Sequence, residues 1–333
     1  MYFVVPNLNG HFLNYVEMFK QRSDYEGHII LTSDFKSFLA LIKLILSSTN
    51  GNKINLCFLH GEKHIIQSLL TAFFKNVNVS SIFYYGFNIN SGFFKVCLSK
   101  LSIYLLSALN IRLFYLEKPE RIIIPSLRSK FLYLPDPILI PYDFDVTTRA
   151  LTIPKVLIAG YLDSRKCIDK ILVALEQLLC DSNFEDIHVF LVGEQSVDVS
   201  EMLDSYLLTT NLKVFQENQR VTDEVLAKYI ENSDVVSCVY DNHLGSSGMF
   251  INAVAYNKKV LFISEGVLSD FAIELGINVF VKESSAANIN KTINVLLDDV
   301  FYQYSLISRI DFLKKRNKSE FIKLLYGGDI LEK

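Results

Sequence analysis

The chain of 333 residues lacks any run of apolar residues long enough to cross a bilayer. Spanning takes about 18–20 uninterrupted apolar residues. Lys43 breaks FLALIKLIL, and Lys100 and Arg112 break the run around VCLSKLSIYLLSALNIRLFYL. The opening MYFVVPNLNG has no basic stretch followed by a small-residue cleavage site, so no signal peptide is read there. Cysteine is scarce and unpatterned. Cys57, Cys97, Cys167, Cys180 and Cys238 follow no C-x-x-C spacing, which argues against a zinc site. Cys57, Cys97 and Cys238 sit in apolar runs, where cysteine packs as a small hydrophobe, as suits a reducing cytosol. A strong net charge is also missing: 33 basic and 36 acidic residues leave −3, which argues against a dedicated nucleic-acid binder. No short-period repeat or low-complexity tract occurs.

What is present fits about two globular domains at roughly 150 residues each. Half the residues are apolar and 21% are charged, enough for real cores and too apolar for disorder. The near-neutral total hides a split. Residues 1–150 hold 15 Lys+Arg and 10 Asp+Glu, a net of +5, whereas residues 151–333 hold 18 and 26, a net of −8.

In the second half, apolar runs at 155–161, 188–194, 212–217, 234–240, 259–264 and 277–281 read as parallel strands buried on both faces. Between them, 167–180, 222–233, 248–257 and 286–297 have helical length. Ile168, Leu172, Leu175 and Leu179 fall at helical spacing, and Thr222 is placed to cap the next helix. The first half alternates likewise, with strands at 1–6, 28–33, 54–61, 80–87, 112–117 and 121–126, and helices near 11–22, 36–48, 62–76 and 93–109. Four of seven prolines, Pro135, Pro137, Pro141 and Pro154, cluster mid-chain and mark a linker. The expected architecture is α/β, two doubly wound Rossmann-like domains over 1–145 and 155–300. A helix within 301–333 then crosses back over the first domain. Such sheets bind ligands outside their carboxyl ends, here in a cleft between the domains.

Two loops in the second half suit an anion. Gly160-Tyr161-Leu162-Asp163-Ser164-Arg165-Lys166 joins a strand to a helix, where glycine admits a ligand close to the backbone and Arg165 and Lys166 supply cations. The alternative is a solvated loop with two surface cations. The second loop, Asp241 to Gly248, contains Gly245-Ser246-Ser247-Gly248, which can present successive N–H groups and hydroxyls to phosphate oxygens. The alternative for Ser247 is a plain helix cap. Asn252, one turn into the helix, is placed for a ribose hydroxyl or a backbone group. In the first half, Asn9-Gly10-His11, His60-Gly61-Glu62 and Tyr84-Tyr85-Gly86 end strands on one side and can face an acceptor. His11 or His60 is the candidate base, since histidine titrates near neutrality. His28, His64 and His188 read as structural. The stretches 36–48 and 92–110 are amphipathic with few acids, a pattern shared by core helices and membrane-surface helices.

These segments together resemble the GT-B glycosyltransferases, in particular the large family that includes bacterial exopolysaccharide, capsule and O-antigen transferases. The resemblance runs over nearly the whole chain and is clearest over 155–281. Members usually read strand-Gly-Arg-Leu-x-x-x-Lys-Gly. This chain has Gly160-Tyr161-Leu162 and Lys166-Cys167, with Tyr161 for the arginine and Cys167 for the second glycine. The resemblance implies a nucleotide-base site around 217–221, making Gln219 and Val221 base-site candidates. Retaining members carry a Glu-x7-Glu pair, and Leu244 and Asn252 stand at those positions. The histidine often found near Tyr84-Tyr85-Gly86 is also missing. Retaining stereochemistry is therefore not carried over.

The reading is a metal-independent, hexosyltransferase-like glycosyltransferase using a nucleotide-sugar as substrate, with no cofactor. Its diphosphate would rest on Gly160, Arg165, Lys166 and Gly245–Gly248. A glycan or lipid-linked glycan acceptor would meet Asn9, Gly10 and Tyr85. The enzyme would be cytoplasmic, touching the anionic inner face of the membrane. Asp143-Phe144-Asp145 has a metal-binding spacing but lies in the linker. The competing readings are a sugar-nucleotide epimerase, a polysaccharide pyruvyl transferase, or a non-catalytic partner subunit of the same fold.

Overall fold

The apolar runs form two all-parallel sheets in a computed structural model, which describes residues 2–5, 11–20, 28–31, 35–47, 54–84, 93–118, 122, 124–142, 153–182, 184–298 and 303–326. The chain divides into two units, Met1–Leu139 with Asn317–Lys333, and Ile140–Arg316. The stretch expected as one tail helix is therefore split between them.

The first unit holds strands β1 (Tyr2–Val5), β2 (His28–Leu31), β3 (Ile54–Phe58), β4 (Val77–Phe83), β5 (Arg112–Leu116) and β6 (Leu132–Leu134). They lie in the order β2-β1-β3-β4-β5-β6. Helices α2 (Phe35–Ser47), α3 (Ile65–Ala72), α4 (Phe93–Ala108) and the short α5 (Pro125–Arg128) share one core layer, through Leu41, Leu69, Ile103 and Leu127. The opposite layer is built by α1 (His11–Lys20) and the last helix, α13 (Lys318–Tyr326), through Tyr15, Phe19, Phe321 and Leu325. Of the strand expected at 121–126, the described residues 122 and 124–126 form no strand. Ile124 precedes Pro125, whose fixed φ opens α5, and the sixth strand comes later, in FLYLP.

In the second unit, β7 (Lys155–Ala159), β8 (His188–Val192), β9 (Lys213–Glu217), β10 (Val235–Cys238) and β11 (Lys259–Phe262) lie in the order β11-β10-β7-β8-β9. Counted within the unit this is 3-2-1-4-5, the doubly wound order, with Val236 beside Leu157 across the β10–β7 pair. One core layer packs α6 (Ile168–Asp181), α7 (Val197–Tyr206) and α11 (Ala286–Leu296) on the sheet. The remaining helices are α8 (Asp223–Asn232), α9 (Gly248–Ala255), α10 (Gly266–Leu275) and α12 (Leu306–Lys315). Phe262, Phe250, Phe271 and Phe312, from β11, α9, α10 and α12, meet in that order edge-on or tilted, with successive centroids 5.0–5.3 Å apart. Residues 277–281 make no strand. After the left-handed cap at Gly276, only Val281 reaches the sheet, donating its N–H to the Phe262 carbonyl at 2.8 Å. Helices α7 and α10 were not anticipated. Ser196 caps the first, but no polar cap announces the second.

Candidate functional site

The doubly wound order of the second unit puts its switch point between β7 and β10, where helices leave toward opposite faces and a crevice opens. The two loops singled out in the sequence follow these two strands. They are tied together, because the Asp241 N–H donates to the Arg165 carbonyl at 2.8 Å.

The first loop leaves β7 through Gly160, at φ +93°, packed against Gly193 after β8. A Cβ on Gly193, itself at φ +132°, would lie 2.0 Å from the Gly160 carbonyl oxygen, so no side chain fits. The chain then makes a 3₁₀ turn at Ser164–Lys166 and enters α6 through Cys167, at φ 50° and ψ 36°. That is the left-handed conformation glycine adopts most easily, at the position where the similar transferases carry glycine.

Lys166 is not a surface cation. It is 7% exposed, its Nζ donates to the Ala159 carbonyl at 2.7 Å, and it lies 4.9 Å from the Tyr240 ring centroid. Among the described residues no carboxylate pairs with it. Burial pushes its pKa down to about 8, with nearby Cys238 and Asp163 pulling the other way. Arg165 is exposed, and its guanidinium is held by Asp163 Oδ2 at 2.9 Å. The other Asp163 oxygen is buried without a hydrogen bond.

The second loop runs from Tyr240 to the start of α9. Ser247 is the helix cap: its Oγ accepts from the Phe250 N–H at 3.3 Å and lies 3.1 Å from the Tyr240 hydroxyl. The tyrosine thus links the floor under Lys166 to the α9 N-terminus. The remaining early N–H groups of α9, from Gly248 onward, are the ones a helix leaves without intrahelical acceptors. His243 Nε2 lies 3.1 Å from the Ser246 carbonyl oxygen, and the ring would stand 3.7 Å from a Cβ on Gly245. Gly266, at φ +51°, lets α10 press on this loop, since a Cβ there would come within 2.5 Å of Leu244 Cα. Leu244 is exposed, and Asn252 is buried. Gln219 and Val221 follow edge strand β9, outside this convergence. The Gln219 amide is taken up by Glu217 at 2.6 Å.

In the first unit the order β2-β1-β3 puts the switch point between β1 and β3. His60 follows β3 there, 8% exposed, its Nδ1 3.1 Å from Glu62 Oε2. The other Glu62 oxygen accepts from the Tyr84 N–H at 2.6 Å, so the carboxylate is fixed and in turn orients the imidazole. His64 is structural, hydrogen-bonded to the His60 carbonyl, and burial pushes its pKa down to about 4. His11 opens α1, but its side chain, like Asn9, Gly10, Tyr85, Asp143 and Asp145, lies outside the described residues. Among the described residues no group of three His, Cys, Asp or Glu side chains comes together as metal ligands.

The sequence places Glu62 only among the acceptor-facing group with His60, and the structure makes it the residue that orients His60. Asp163 and Tyr240 carry no role in the sequence reading, because their partners, Arg165 and Ser247, are set by the folded loops.

No family model and no curated protein sequence matches the chain. Among solved structures, HepE of Anabaena in complex with UDP superposes with a TM-score of 0.69 at 10% identity, over 98% of both chains. The UDP-forming α,α-trehalose-phosphate synthase of Burkholderia xenovorans gives 0.66 at 10%, over 98% of this chain and 100% of that one. WaaG, a glycosyltransferase involved in lipopolysaccharide biosynthesis, gives 0.58 at 11%, over 98% of both chains. The chain has the GT-B fold of these glycosyltransferases.

Proposed function

We propose that this protein is a glycosyltransferase that takes a sugar from a nucleoside-diphosphate donor and passes it to a glycan or lipid-linked glycan. The donor diphosphate sits at the β7–β10 switch point, over Gly160 and Lys166 and against the N–H groups that open α9. The observation that carries this is Lys166, a desolvated ammonium with no carboxylate partner among the described residues, beside a capped helix start. A buried cation without a counter-ion is costly. An arriving diphosphate supplies the missing charge, and the same groups then stabilise the leaving nucleotide as negative charge develops on it. In this reading Lys166 and the N–H groups neutralise the charge that a divalent metal handles in other folds. Arg165 contributes at the rim once Asp163 releases it. His60, oriented by Glu62, is the base that takes the acceptor proton if the reaction inverts, with His11 as the other candidate. The base and ribose of the nucleotide meet Gln219, Val221 and Asn252.

Support comes from the shared fold: HepE binds UDP, the trehalose-phosphate synthase is UDP-forming, and WaaG is involved in lipopolysaccharide biosynthesis. The net-basic first half fits an anionic, lipid-linked acceptor at the cytoplasmic face of a membrane. No helix among the described residues is long and apolar enough to cross one.

Titration calorimetry with UDP, GDP, dTDP and CMP tests the donor site. One nucleoside diphosphate should bind at least tenfold tighter than its nucleoside, and binding of none overturns the proposal. A second reading, a nucleotide-binding partner subunit that has lost transfer, is favoured by the uncharged Leu244 and Asn252. Tight binding with no turnover of any donor would select it.

A further inference from the structure

Helix α3 packs one apolar face on the core, through Ile65, Leu69 and Ala72, and turns a second apolar face outward. Its fully buried side chains are the hydroxyls Ser68 and Thr71, whereas Ile66, Leu70 and Phe73 are 69%, 46% and 70% exposed. These three stand at i, i+4 and i+7 and so form one stripe. The inward hydroxyls are satisfied. Ser68 Oγ lies 3.0 Å from Ser81 Oγ, and Thr71 Oγ1 donates to the Gln67 carbonyl at 2.8 Å. The stripe continues on α4, which packs against α3 and exposes Leu101, Tyr104 and Leu105. Helix α2, in the same layer, exposes Leu39 and Leu46. A helix facing water carries polar residues on its outer face, and exposed apolar side chains grouped in this way mark an interaction site.

The helices of this face carry charge of one sign, and Glu62, beside Lys63, is taken up by His60 and the Tyr84 N–H. No aspartate or glutamate occurs from Lys63 to Leu116, or within α2. Lys43, Lys63 and Lys75 are exposed, the last two flanking the α3 stripe. Lys130 lies 5.6 Å from the Tyr104 ring centroid. A second copy docked by a two-fold axis would set these basic helices against their own copies.

We propose that the α3–α4 face docks on an anionic lipid bilayer. Ile66, Leu70 and Phe73 enter the boundary between headgroups and acyl chains, and Lys63 and Lys75 meet lipid phosphates. This deepens the reading of a lipid-linked acceptor. Its test is separable from that reading, because vesicle binding requires neither nucleotide nor transfer.

The whole chain is sedimented with vesicles of phosphatidylcholine alone and of phosphatidylcholine with about 30% phosphatidylglycerol. Binding is expected on the anionic vesicles and is expected to weaken with salt. Ile66→Ser with Phe73→Ser lowers it by about tenfold or more, and Lys63→Gln and Lys75→Gln by roughly fivefold each, on anionic vesicles only. Unchanged circular dichroism shows that the variants fold. Absence of binding to anionic vesicles, or equal binding by wild type and the Ile66/Phe73 variant, overturns the proposal. Light scattering that finds a dimer in the wild type and a monomer in that variant also overturns it, assigning the face to a second copy.

Discussion

Replacing Lys166 by methionine separates a binding cation from a structural one. Methionine keeps the volume and flexibility of the stem and removes the ammonium. The fall in pKa from 10.5 to about 8 means that burial disfavours the charged form by roughly 3 kcal/mol. That figure is the net difference between the two forms, so the Ala159 carbonyl and the Tyr240 ring beside Nζ are not a further credit to the ammonium. Losing the hydrogen bond to the Ala159 carbonyl costs the variant about 1 kcal/mol, so at pH 7 it should be more stable than wild type by about 2 kcal/mol in urea unfolding. Between pH 8 and 10.5 the folded wild type binds fewer protons at this lysine than the unfolded chain does. Its contribution to stability therefore rises with pH across that window. The variant lacks this rise, so its stability relative to wild type should drop by roughly 3 kcal/mol between pH 7 and 10.5. Nucleotide binding should move the other way. Loss of one charged contact to a diphosphate weakens it by about 10–100-fold at pH 7. Wild-type affinity should also fall above pH 8, as binding comes to require proton uptake, while the variant stays flat. A variant destabilised by several kcal/mol at pH 7, with diphosphate affinity intact, would refute the argument and make Lys166 a structural cation.

Ser247→Ala removes the α9 cap and the partner of Tyr240, and should lower the unfolding free energy by about 1 kcal/mol. The exposed Ser164→Ala, measured by the same denaturant titration, should stay within about 0.5 kcal/mol of wild type. Glu62→Gln keeps the size of the side chain that orients His60 but removes its charge. Transfer should slow by about 10–100-fold while calorimetric UDP affinity is unchanged, and an equal loss of both would show that His60 and Glu62 serve only the fold.

The second unit was legible because its signals are local. Short β-branched runs at 155–159 and 235–238 read as buried strands and form them, and Thr222 and Ser247 cap helices where a serine or threonine precedes an apolar pattern. What escaped depends on distant partners. Spacing puts Lys166 in a polar loop, and only the Ala159 carbonyl and the Tyr240 ring, brought from two strands, turn it inward. Helix α3 misleads in the opposite sense. Its sequence is apolar on two faces, and the fold packs Ile65, Leu69 and Ala72 on the core beside Ser68, which meets Ser81 on β4, and leaves Ile66, Leu70 and Phe73 outside. The 277–281 run is apolar enough for a strand, but the turn at Gly276 leaves only Val281 at the sheet.

Helix α13 carries a consequence for how the chain comes to be folded. Phe321, Ile322 and Leu325 share a core with Phe3, Tyr15 and Phe19, and the Arg112 guanidinium closes on the Leu325 carbonyl at 2.8 Å. The unit synthesised first therefore lacks part of its interior until residues 318–326 leave the ribosome. The unit over Ile140–Arg316 is continuous in sequence and has all its parts before then. Order of synthesis and order of completion are thus reversed, and until the last helix arrives the nascent first half carries an unfilled aromatic groove for chaperones to cover.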